Sequence, residues 1–165
     1  MDRRTLLEIA HDVSLAVWFG GAWMGAVALN NATIEVDDHT QRMRVANAGW
    51  FAWAPVTGAA IVAHVGSAAL LGRVVPAFWR SGVAPLTRWR CLVTLAALAA
   101  AAETGDSGRR VMMAGDVPVA TAVVPISDTP DEVARAQRRL RVGQWAVPVA
   151  TGTLWMLDAI QRSRA

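Results

Sequence analysis

Apolar runs close to 20 residues recur along this chain, and 20 residues is about what a helix needs to cross a hydrocarbon layer roughly 30 Å thick. Residues 13–32 form the first run, broken only by Ser14 and the pair Asn30–Asn31. Residues 50–72 form the second, with Thr57, His64 and Ser67 as its polar members. Residues 142–160 stay apolar until Asp158. The remaining run begins at Cys91 and meets Glu103, Asp106, Arg109 and Arg110 after about a dozen residues, roughly 18 Å of helix. It is expected to continue beyond the apolar layer as a polar helix over 90–114. These runs predict an all-α protein, an integral membrane four-helix bundle made of two helical hairpins. With 165 residues there is room for one domain.

The segments between the runs differ in kind. Residues 34–47 make a charged turn into the second helix. Residues 74–90 carry prolines and arginines but no acid. Residues 115–141 are expected as an outer loop followed by an amphipathic helix. Its proline-interrupted valines, at Val117 to Val119 and Val123 to Pro125, read as extended chain. Asp128-Thr129-Pro130-Asp131-Glu132 reads as a helix start, with Asp or Thr as cap and acids against the dipole. A weak internal echo links Gln41 to Gly58 with Gln137 to Gly152: an arginine-rich lead, then Trp, Pro and Thr-Gly. It fits a duplicated hairpin.

Composition narrows the function classes. The chain is 54% hydrophobic with a mean hydropathy of +0.32. All 16 basic residues are arginine, in short clusters beside apolar runs instead of a stripe interleaved with stacking aromatics, which argues against nucleic-acid binding. Tyrosine is absent and tryptophan numbers eight, suited to helix ends near lipid headgroups. The single Cys91 excludes an intramolecular disulfide. The stretch after Arg3–Arg4 lacks an A-x-A cleavage site and is long enough to span, so it is expected to be an uncleaved first helix. Arginines in the short 74–90 connection, without acids, put the N- and C-termini in the cytoplasm and the chain in the plasma membrane as a multi-pass protein.

No nucleophile elbow, phosphate loop, dinucleotide glycine pattern or zinc motif is present, so no catalytic residue, cofactor or metal site is expected and the chain is read as a non-enzyme. His11 and His64 are the alternative: two histidines in adjacent spans could hold haem or copper. Counted from the run ends, however, they fall about 12 Å apart in depth. Asp12, Glu103 and Asp158 fall near run ends and are expected as interfacial ion pairs. A small transporter working through Glu103 or Asp158 is a further alternative. Gly21-Ala22-Trp23-Met24-Gly25 is a GxxxG motif, which lets helix backbones approach closely. Gly21, Gly25 and Trp18 are therefore read as a docking face for partner helices. Arg135, Arg138 and Arg139 are read as contacts to an outer partner.

The stretch His11-Asp12-Val13-Ser14-Leu15-Ala16-Val17-Trp18-Phe19-Gly20-Gly21 resembles the first helix of small bacterial four-helix membrane proteins of the CopD-like copper-resistance and DUF4149-like groups. The resemblance implies the hairpin–hairpin plan. Copper binding does not carry over, because the Met and His ligands expected beyond His11 are missing. Size, an all-arginine high-GC composition of actinobacterial character and the lack of a site also look like the small accessory subunits of Mce-type lipid importers. That likeness implies a non-catalytic, stabilising subunit whose partners are membrane proteins of a lipid transport complex.

Overall fold

A computed structural model describes residues 1–73 and 85–163. Most of the arginine-rich connection expected at 74–90 lies outside the described residues. Four long helices account for nearly all of the rest, in agreement with an all-α chain. Helix α1 runs Arg3–Glu35, α2 His39–Leu70, α3 Pro85–Met113 and α4 Asp131–Arg162. Among the described residues, by length and composition, only α1 and α2 are apolar enough to cross a membrane. Helices α3 and α4 are as long, but charged residues interrupt their apolar stretches. All four outrun the apolar runs that announce them.

Helix α1 starts ten residues before its apolar run because Asp2 caps it, accepting the Thr5 backbone N–H at 2.7 Å. Near its far end the helix loosens into a π turn over Gly25–Leu29. The Asn31 side chain meets the carbonyls freed there, donating to Val27 O at 3.0 Å. Asp38 caps α2 through the Thr40 N–H at 2.8 Å. The start of α4 differs from expectation. Pro130 occupies the cap position without a side-chain bond, and α4 begins at Asp131. Thr129 instead closes the preceding loop, accepting from Ile126 N at 2.9 Å and donating to Pro118 O at 2.6 Å.

Two antiparallel hairpins, α1 with α2 and α3 with α4, join chiefly where α1 packs on α4; α2 and α3 barely touch. Between them lies a core of Leu15, Trp18, Ala60, Ala97, Val147 and Leu154, small for a chain this size. Close approach is set by glycine. A methyl at Gly21 would collide with the Trp53 ring, one at Gly25 with Trp50, and one at Gly143 with Thr104. The GxxxG face is thus consumed inside the chain, and Trp18 is 1% exposed. It is not an open docking surface, because the indoles of α2 already fill it.

Beyond the bundle, one end carries a cap. The valines expected as extended chain pair as a short antiparallel ribbon, Val119–Thr121 (β1) with Val124–Pro125 (β2). A second apolar cluster of Met43, Val111, Val119, Val133 and Ala136 lies beneath it. Arg42 laces the cap, donating to Val36 O and Ala120 O at 2.7 Å each and to Ile34 O at 3.2 Å. Gln137 is fully buried and donates to Thr121 O and Ala122 O. Its echo partner Gln41 is exposed and bonded to Asp38, so the two halves of the sequence echo occupy unlike surroundings.

Candidate functional site

At the end opposite the cap, one polar cluster draws a side chain from each of the four helices. His11 comes from α1, His64 and Ser67 from α2, Arg90 from α3 and Asp158 from α4, all buried. Asp158 anchors it. Its Oδ1 lies 2.6 Å from Arg90 Nε, and its Oδ2 lies 3.3 Å from His11 Nε2. Arg90 also donates from Nη1 to Gln161 Oε1. A buried carboxylate is tolerated only when its charge is paired, and here Arg90 supplies the opposite charge while His11 lies beside the second oxygen.

The two imidazoles stack, with centroids 4.1 Å apart and planes at 20°. Nδ1 of His11 faces His64 O at 3.3 Å, and Nδ1 of His64 faces His11 O at 3.4 Å. The His64 contact suits an N–H at its Nδ1, whereas the single N–H of a neutral His11 serves either His64 O from Nδ1 or Asp158 Oδ2 from Nε2. The Ser67 hydroxyl donates to Ala63 O at 2.6 Å, leaving its lone pairs toward His11 Nδ1 at 3.4 Å. Trp18 closes the cluster from the core side, its ring edge-on to His64 at 6.1 Å.

This overturns the 12 Å separation expected for the histidines. Depth counted from the start of an apolar run misplaces His11, because α1 begins at Arg3. His11 stands eight residues from its helix start and His64 six from the end of α2. These are about 12 Å and 9 Å along antiparallel helices, so the rings meet. Asp158 forms the expected ion pair, with Arg90, but is shielded from solvent at 4% exposure. Asp12 does match the expectation, pairing with Arg162 at 3.1 Å on the surface, and Glu103 pairs with Arg139 at 3.5 Å.

Arg90 escapes sequence reading because it closes an arginine-rich connection and resembles a rim charge. The signal lies in the antiparallel register, since the pairing that sets Thr104 against Gly143 also sets Arg90 level with Asp158. At mid-height, Asn30 donates to Gln144 Oε1 and accepts from Trp50 Nε1, both at 2.9 Å. Arg135, Arg138 and Arg139 are exposed at the capped end. They share no surface with Gly21, Gly25 and Trp18. Among the described residues, no group of three or more His, Cys, Asp or Glu side chains could hold a metal ion. Comparison with known proteins finds no match to this chain among family models, curated proteins or solved structures.

Proposed function

We propose that this chain is a multi-pass plasma-membrane protein, with both termini cytoplasmic, that serves as a non-catalytic accessory or stabilising subunit of a larger membrane complex. Its distribution of side chains supports the membrane part. Beside the apolar core of Leu15, Trp18, Val147 and Leu154, the bundle interior buries His11, Ser14, Asn30, His64, Arg90, Thr151 and Asp158. Large apolar side chains such as Val27, Phe51, Val62, Leu95, Val149 and Met156 line the outside. Water would penalise that arrangement and lipid favours it. Charge supports the orientation. The sequence divides its sixteen arginines evenly between the two ends, and the short 74–90 connection, which carries arginines and no acid, is what favours cytoplasmic termini.

The observation that carries the accessory role is the uncovered state of α2. Among the described residues this helix packs on α1 and barely meets α3, and little of its apolar stretch is buried. Its outward face presents Ala52, Ala59 and Ala63, small residues that let another helix approach closely. The docking face is thereby assigned to α2 in place of Gly21 and Gly25. The likeness to Mce-type accessory subunits makes a lipid-import permease the kind of partner to look for.

The test is an affinity pulldown of the tagged chain from its native membrane in mild detergent, with mass spectrometry and an absorption spectrum of the same eluate. A membrane protein at stoichiometric level, lost in Ala59→Trp while the fold persists, is the expected result. A chain that purifies alone overturns the role. Haem or copper on His11 and His64 gains the proximity of the rings but not their geometry. An iron with two axial histidines lies between them, whereas these rings stack face to face. A Soret band lost in His64→Ala would revive that reading, and uptake dependent on Glu103 or Asp158 would revive a transporter.

A further inference from the structure

The exposed face of α4 changes character within a single turn. Arg135, Arg138 and Arg141 stand exposed there, and none forms an ion pair among the described residues, whereas Arg139 is held by Glu103. Next along the same face come Val142, Trp145 and Val149, which are 71%, 43% and 62% exposed. Steps of three and four residues align these side chains on one side of a helix. Trp145 meets Trp23 of α1 edge-on at 5.7 Å, so two helices contribute half-exposed indoles at one level.

On the membrane reading above, that indole pair marks the edge of the hydrocarbon. At 1.5 Å per residue, Arg141, Arg138 and Arg135 stand about 6, 10 and 15 Å beyond Trp145. The headgroup layer extends roughly 5–8 Å past the hydrocarbon on each side. Arg141 and Arg138 therefore come level with lipid phosphates, within reach of a long flexible side chain. Guanidinium matches phosphate oxygens with paired N–H donors, and these arginines lack a carboxylate that would compete. The acids of the same helix, Asp131 and Glu132 at its start and Asp158 near its end, all lie farther along it from Trp145 than any of the three arginines.

We infer that Arg138 and Arg141, with Arg135 above them, bind the phosphate of anionic phospholipid headgroups in the adjoining leaflet. This rests on the membrane reading and names a lipid, not a protein, as the ligand of the arginine row. The full chain, delipidated and reconstituted into nanodiscs holding equal phosphatidylglycerol and phosphatidylcholine, is released into a mass spectrometer and its retained lipids are counted. The wild type is expected to retain phosphatidylglycerol preferentially. R138Q/R141Q should lower that preference on the order of ten-fold, while R44Q, in the cap, leaves it in place. Equal retention of the two lipids overturns the proposal, as does a preference unchanged in R138Q/R141Q. Displacement by millimolar inorganic phosphate makes the ligand a soluble anion and also overturns it. Vesicle flotation read in parallel separates the two levels, since a chain that does not float with vesicles refutes the membrane reading itself.

Discussion

The two ends of this molecule are tied by opposite means. At the capped end, apolar side chains gather under a short ribbon, and Arg42 satisfies three backbone carbonyls where water has partial access. At the other end, the four helices converge on charges: one carboxylate holds a guanidinium and an imidazole with almost no exposure. The cap follows the rules of a small water-soluble domain, in which many weak contacts add. The cluster concentrates its effect in a few bonds, because a buried charge without its partner is far costlier than a lost apolar contact.

The contrast fails if the cluster proves as forgiving as the cap. Asp158→Ala should be the most damaging single change, leaving the Arg90 guanidinium buried without its anion at a cost of about 3–5 kcal/mol. Thermal unfolding in detergent should show a fall in midpoint on the order of 10 °C. Replacing both partners, as Asp158→Leu with Arg90→Met, should recover most of that loss. A double variant as unstable as the single one would mean that the charges do more than staple the helices.

Arg42→Met tests the other end. It strands carbonyls that are only partly shielded, so a smaller loss of about 1–2 kcal/mol is expected, confined to the cap. Hydrogen exchange should quicken in the ribbon and at Thr33 while the amides around His64 stay protected. Faster exchange at both ends would make the two one cooperative unit.

Acid sharpens the comparison further. The Arg44 guanidinium holds the Asp116 carboxyl below the usual carboxylate range, and the Thr40 hydroxyl and N–H do the same for Asp38. Because their folded values are depressed, these groups stabilise the cap fully above the ordinary carboxylate range, and the contribution fades as pH falls through and below about 4. Ribbon exchange should rise over that interval, by a modest amount since both groups are exposed. Asp12→Asn, which opens the exposed pair with Arg162, should change stability least, by about 0–1 kcal/mol in the same melting assay.

Much of the helical plan was readable beforehand. The apolar runs announced four helices, and the polar extension of α3 was expected from Glu103 onward and ends at Met113. The helix starts were less legible. Asp2 and Asp38 lengthen α1 and α2 well past their apolar runs, and that extra length brings His11 level with His64. Gly21 and Gly25 announced close helix packing, but a motif of small residues does not say which helix fills it. Here Trp53 and Trp50 do. Gln137 and Arg42 looked like ordinary polar members of charged stretches, since nothing nearby in sequence reveals the carbonyls they serve.

Run length and residue type, both local properties, dictated that this chain would be helical, apolar on the outside of its helices and rich in arginine between them. Pairing was decided by the packing of the folded chain. Asp158 meets Arg90 and His11 across 68 and 147 positions of sequence, through the register of one antiparallel hairpin and its contact with the other. Such distances are set by where helices start and which glycines let them close, so the polar cluster exists only once all four helices are in place.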